Sequence, residues 1–198
     1  MKIVLIKYKH LLCYNSYKEG ELMKFENEIT VEVDTNLDNL ILILTKHNFK
    51  LKEKYSCKDI YMIHKSEKIN SNYLELLKKC VLVRNLILSS GEKKLLTYKY
   101  KEYDEDKNII RQAKLNLNVD DINTLVEILK LVNFKELIKI NDDILVYSND
   151  VDEINIQCVN NKHIYIEIEN KCNYIDKIYK MPDMKNVIKK YNIPIKEG

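Results

Sequence analysis

The sequence predicts an α+β fold in which about eight antiparallel strands form a closed or nearly closed β tunnel flanked by helices. Three observations carry this expectation. Polar and apolar residues alternate along many segments, and the order they imply is strand, helix, four strands, helix, three strands. The two halves also repeat: the stretch from Leu37 to Phe49-Lys50 resembles that from Ile122 to Phe134-Lys135, each a helix of about three turns ending in Asn-Phe-Lys and running into a strand. Finally, eight or so antiparallel strands of this length can curl on themselves, which removes the exposed edges that an open sheet must protect.

In order, Glu28-Ile29-Thr30-Val31-Glu32-Val33 alternates as a half-buried strand does. Thr35 is the expected cap of a helix whose apolar stripe is Leu37, Leu40, Ile41 and Leu44. Extended segments follow at about 50–64, 79–88, 93–103 and 109–119. Asp120-Asp121 opens a second amphipathic helix, with Ile122, Leu125, Ile128, Leu129 and Val132 on its apolar face. Further strands are expected at about 135–147, 153–159 and 162–169. Residues 176–191 read as short helices that plug or brace one end, with Pro194 as a stop.

A chain of 198 residues is one domain by length, long enough to bury a core without disulfide staples. The expected division is a tunnel domain over 23–170 and a helical tail over 171–198. Residues 1–22 stand apart, because Lys18-Glu19-Gly20-Glu21-Leu22 before Met23 is what a purine-rich ribosome-binding sequence would encode in frame. One reading makes Met23 the native start; the other makes residues 2–8 an appended strand.

The charge balance, 33 basic against 30 acidic residues for a net +3, lacks the concentrated basic excess that nucleic-acid binding demands. Five cysteines with no C-x-x-C pair fit reduced thiols in a cytoplasmic protein better than a disulfide framework or a zinc site. Lys7 and Lys9 interrupt the apolar opening Ile3-Val4-Leu5-Ile6, and no later run reaches membrane-spanning length. His10, His47, His64 and His163 share no metal-like spacing.

Chemistry enters through charges at alternate strand positions. Glu28 lies with Thr30 and Glu32, Asp59 with Tyr61, Thr97 with Lys99, and Glu167 with Glu169, while Arg84, Arg111 and Lys139 stand on strands of their own. Residues i and i+2 of a strand share a face about 6–7 Å apart, so two such carboxylates can share one hard cation, whose oxygen ligands lie at roughly 2.0–2.6 Å. A lone Glu-x-Glu is more often the solvated face of a sheet; the ordered company of the other charges gives this one weight.

Taken together, these residues resemble the CYTH superfamily, the triphosphate tunnel metalloenzymes, which include class IV adenylate cyclases, thiamine triphosphatases and inorganic tripolyphosphatases. Residues 72–84, ending in Val83-Arg84, and Leu96-Thr97-Tyr98-Lys99 are particularly similar to cyclase-like members from Firmicutes. The resemblance spans about 28–169 and includes the element order. It implies an antiparallel tunnel in which Lys and Arg bind a triphosphate-containing small molecule or a polyphosphate and glutamates hold Mg²⁺ or Mn²⁺. Carried over residue by residue, Glu28 matches the first Glu of the opening Glu-x-Glu-x-Lys, and Glu167 and Glu169 match the terminal Glu-x-Glu, giving a metal set. Arg84, Lys99, Arg111 and Lys139 match phosphate-binding cations, with Lys99 and Arg111 the catalytic pair.

This chain also departs from the pattern. Thr30, Glu32 and Leu82 stand where Glu, Lys and Arg are expected, Gln112-Ala113 replaces two Glu, and Asn141 replaces an Arg. Each missing phosphate contact is worth about 1.5–3 kcal/mol. The resemblance therefore implies either a divergent phosphohydrolase or a catalytically impaired module that binds a nucleotide, polyphosphate or other organic anion. Class IV cyclase-like activity is a further alternative, and it needs more of the site than hydrolysis does, because cyclisation must also position a ribose hydroxyl.

Overall fold

The computed structural model describes residues 28–69, 76–103 and 109–196. Its elements run β1 (Glu28–Glu32), α1 (Leu37–Lys46), β2 (Lys50–His64), β3 (Val81–Leu88), β4 (Gly91–Tyr103), β5 (Ile109–Asn118), α2 (Ile122–Leu131), β6 (Phe134–Ser148), β7 (Glu153–Val159), β8 (His163–Glu169) and α3 (Met181–Lys190). The order expected from the periodicity is the order found. The segment 1–22, with its suggested strand at 2–8, lies outside the described residues.

All eight strands join one antiparallel sheet in the order β1-β8-β7-β6-β2-β3-β4-β5. Its edges are β1 and β5, and among the described residues no backbone ladder joins them. Of the expected closed or nearly closed tunnel, the eight-stranded antiparallel sheet is present, with a seam that is not closed by backbone hydrogen bonds among the described residues. Side chains cross it instead: Lys114 of β5 lies 3.0 Å from Glu28 of β1.

Strand alternation gives this sheet two unlike faces. The outer face of β6, β7 and β8 packs Leu145, Ile154, Ile156, Ile166 and Ile168 against Leu40 and Leu44 of α1 and Met184, Val187 and Ile188 of α3. Fully burying such an aliphatic side chain stabilises by about 1.5–3 kcal/mol, so this is the main core. A second outer layer forms where Leu129 of α2 meets Met62 of β2 and Val83 of β3. The inner face carries the charges.

Local details refine the sequence reading. Asn36, not Thr35, caps α1, its Oδ1 accepting from the Asn39 amide at 2.9 Å. Asp121 caps α2 as expected, accepting from the Thr124 amide at 2.6 Å. The repeated Asn-Phe-Lys has a backbone cause: Asn48 and Asn133 follow α1 and α2 at φ 64° and 68°, the left-handed conformation that ends a helix and that asparagine tolerates best after glycine. The apolar face of α2 is narrower than expected, since Ile128 and Val132 are 52% and 55% exposed. Only 181–190 of the C-terminal stretch is helical, and α3 braces the outer face rather than plugging an end. Among the described residues no helix is long and apolar enough to cross a membrane.

Candidate functional site

The β1–β8 ladder sets Glu28 opposite Glu169 and Thr30 opposite Glu167, so these side chains share the inner face. There Glu28, Glu167 and Glu169 each bring a carboxylate oxygen within 4.8 Å of the others. Lys114 reaches in from β5, its Nζ 3.0 Å from a Glu28 oxygen and 3.0 Å from a Glu169 oxygen. Lys99, from β4, lies 4.0 Å from Glu28. Glu167 accepts from Thr30 Oγ1 at 3.3 Å and from Gln157 Nε2 at 3.0 Å. Asn155 stands opposite Glu167 in the β7–β8 ladder, 8% exposed, and its Oδ1 has no hydrogen-bond partner.

Crowding of like charges governs the electrostatics. Burial, and then the charge of Glu28, push the Glu167 carboxyl well above the usual carboxylate range, with Lys114 pulling the other way. Burial opposes the charge of Lys114, yet Glu28, Glu169 and Glu167 hold its pKa above the ordinary lysine value. Lys114 therefore stands as a cation among these carboxylates.

Further along the inner face, Arg84 of β3 donates from Nε at 2.8 Å and from a terminal nitrogen at 2.6 Å to the two oxygens of Asp59 on β2. Asp59 is 3% exposed, so this fork pairs a buried carboxylate. Cys57 donates its thiol to the same carboxylate at 3.1 Å. Burial, and then the nearby Asp59, push Asp142 of β6 up to about 6, while Arg84 and Lys99 act the other way. Asp142 lines a polar cavity of about 350 Å³ with Ser56, Cys57, Asn141, Asp143 and Asn160.

The residues singled out in the sequence fall into three groups. Glu28, Glu167, Glu169 and Lys99 come together. Arg84 faces the same concavity, but its guanidinium is engaged by Asp59. Lys139 is not brought into the site: it lies opposite Ile60, whose side chain packs in the α2 layer, and its Nζ pairs with Glu136 at 3.2 Å, 60% exposed. Arg111 pairs opposite Glu102 in the β4–β5 ladder; its side chain lies outside the described residues.

Sequence reasoning missed Lys114. Its signal was present, because Lys114 and Asn116 alternate along β5 just as Thr97 and Lys99 do along β4, and Thr97 Oγ1 donates to Asn116 Oδ1 at 2.8 Å. It also missed Gln157 and Asn155, whose amides mark the floor of the acidic cluster.

The donor set suits a hard divalent cation. Carboxylate oxygens from Glu28, Glu167 and Glu169, with the orphaned Asn155 Oδ1 alongside, are the oxygen ligands that Mg²⁺ and Mn²⁺ prefer. The group can thus collect a cation, or, through Lys99 and Lys114, face an anion.

No protein-family model matches the sequence, and no curated protein matches it. Solved structures share its fold. The PH1819 protein from Pyrococcus horikoshii OT3 is 18% identical, with a TM-score of 0.58 over 84% of this chain and 86% of that one. A proposed adenylate cyclase from Vibrio parahaemolyticus is 10% identical, with a TM-score of 0.54 over 88% and 94%. A chain of the Schizosaccharomyces pombe Mediator head module is 9% identical, with a TM-score of 0.55 over 87% and 98%. At these identities the likeness is one of fold.

Proposed function

We propose that this chain is a divergent metal-dependent phosphohydrolase acting on a triphosphate, inorganic or organic, held against the inner face of the sheet. One observation carries the reading: three carboxylates converge within 4.8 Å while two lysines, from β4 and from the edge strand β5, reach toward them. Glu28, Glu167 and Glu169 would hold Mg²⁺ or Mn²⁺. The cation, when bound, supplies charge neutralisation at the phosphoryl oxygens. Lys99 and Lys114 hold the terminal phosphates and offset the negative charge on the transferring group, the main protein contribution to phosphoryl transfer. Arg111 enters as a catalytic partner of Lys99 on the family resemblance. The fold likeness to a proposed adenylate cyclase supports a triphosphate-related activity.

A second reading has its own support. With Arg84 engaged by Asp59 and Lys139 on the outer face, fewer cations are free for phosphates than the resemblance implies. A catalytically impaired module that binds a nucleotide, polyphosphate or other organic anion fits that loss. A chain of the same fold occurs in the Schizosaccharomyces pombe Mediator head module.

Phosphate release from inorganic tripolyphosphate with Mg²⁺ or Mn²⁺, compared between the full chain and Glu167→Ala, tests the two. Metal-dependent release that the substitution abolishes supports the hydrolase. Binding of tripolyphosphate without release supports the impaired module, and neither binding nor release rejects inorganic tripolyphosphate as a ligand.

A further inference from the structure

We propose that Lys114 is the resident counter-ion of the Glu28–Glu167–Glu169 cluster: an arriving divalent cation displaces its ammonium, which then passes to the phosphate chain. The inference rests on the metal and triphosphate reading above and adds a hand-over between the two ligands.

The Lys114 ammonium touches Glu28 and Glu169 at 3.0 Å each, and these are two of the three carboxylates whose oxygens lie within 4.8 Å of one another. An ion bound by those oxygens must therefore share them with a positive charge, and like charges on common ligands repel strongly at low dielectric. Lys99 adds to the repulsion from 4.0 Å. Without an added ion, two ammonium groups already offset most of the charge of three carboxylates. The cluster thus holds a divalent cation weakly so long as Lys114 stays in place.

The reach of Lys114 matters as well. Its side chain crosses the seam from edge strand β5, where its backbone stands opposite Lys99 in the β4–β5 ladder. Four flexible carbons let the ammonium swing a few ångströms without moving the strand. Released from Glu28 and Glu169, it emerges next to Lys99, where an anion would find two cations rather than one. Metal binding therefore creates the phosphate site, and a bound phosphate chain stabilises the displaced lysine. By linkage the two ligands bind with positive cooperativity.

Mn²⁺ binding to the full chain, read by electron paramagnetic resonance of the free ion, tests this without turnover. Lys114→Gln, checked for folding by circular dichroism, is expected to bind Mn²⁺ about tenfold or more tighter than wild type. Equal or weaker binding by Lys114→Gln, with Glu167→Ala losing the ion, overturns the hand-over and leaves the metal site standing. No saturable binding by wild type or Lys114→Gln overturns the metal reading and the inference with it. A second measurement uses wild type alone, so that it survives a variant that does not fold: acetylation of Lys114 by an amine-reactive ester, quantified by mass spectrometry. Mn²⁺ is expected to raise Lys114 labelling severalfold, and inorganic tripolyphosphate added with Mn²⁺ to suppress it again. Labelling that Mn²⁺ leaves unchanged overturns the proposal.

Discussion

Replacing Asp152 by asparagine should destabilise the fold by about 3 kcal/mol while leaving the acidic cluster intact. Asp152 sits in the β6–β7 turn, 1% exposed, and accepts four hydrogen bonds. They come from Lys177 at 2.6 Å, Lys190 at 2.8 Å, Tyr179 at 2.8 Å and Tyr191 at 2.6 Å, so one carboxylate ties α3 and the segment before it to the sheet. Burial alone would raise its pKa, but the hydrogen bonds from Lys177 and Lys190, then from Tyr191 and Tyr179, hold it well below the usual range. The two phenols are 3% and 4% exposed, and a hydrogen bond from each to a charged acceptor is worth about 1.5–3 kcal/mol, part of which an amide oxygen retains. The lysines are 36% and 50% exposed and rehydrate when released, so each adds only about 0–1 kcal/mol. Urea melts followed by circular dichroism and tyrosine fluorescence, in a protein without tryptophan, measure the difference. For a chain of this size the corresponding drop in Tm is about 6–12 °C. Because the folded pKa is depressed, the contribution is complete above the unfolded value of about 3.9 and is lost as pH falls toward the folded one. The gap between wild type and Asp152→Asn should thus stay constant from pH 8 to about 5 and narrow below about 4. A difference of less than about 0.5 kcal/mol at pH 7, the scatter of an ordinary surface substitution, would refute the account.

Arg84→Met should cost about 3–5 kcal/mol by stranding the buried Asp59 carboxylate, and adding Asp59→Leu should recover more than half of that loss in urea melts. A double variant no more stable than the single one would show that the pair is not what holds these strands. Lys139→Ala should leave tripolyphosphate affinity unchanged and alter stability by less than about 0.5 kcal/mol, since its ammonium is exposed beside Glu136; a marked loss of affinity by calorimetry would contradict its placement on the outer face. Asn133→Ala should lower stability by about 1–2 kcal/mol in thermal melts, because alanine resists the left-handed φ, whereas Asn133→Gly should be neutral or stabilising.

Much of the site was legible because it is written in strand alternation. Glu167 and Glu169 had to share a face, and so did Thr97 and Lys99, once their segments were read as strands. Lys139 does not share that face. On β6 the inward positions include Asp142, beside Cys57, whereas Lys139 falls opposite Ile60. A one-residue difference in register reverses the face of every side chain on a strand, so a family match one position out of phase places a cation on the wrong side of the sheet. The β2–β6 ladder itself shifts register between Tyr61 and Met62, and nothing in the local pattern announces it.

The element order, the Asp121 cap of α2 and the carboxylate pair on β8 are readable from the chain alone, because each depends on neighbours a few residues apart. Which charges meet depends on the three-dimensional path of the chain. Lys114 finds Glu28 because β1 and β5, the two edges of the sheet, curl toward each other. Arg84 is engaged because the β2–β3 register sets it opposite Asp59. Asp152 becomes a hub because α3 returns to the β6–β7 turn. These contacts depend on how the sheet curves and where the chain returns, which the balance of all the packed surfaces sets and no short stretch of sequence encodes.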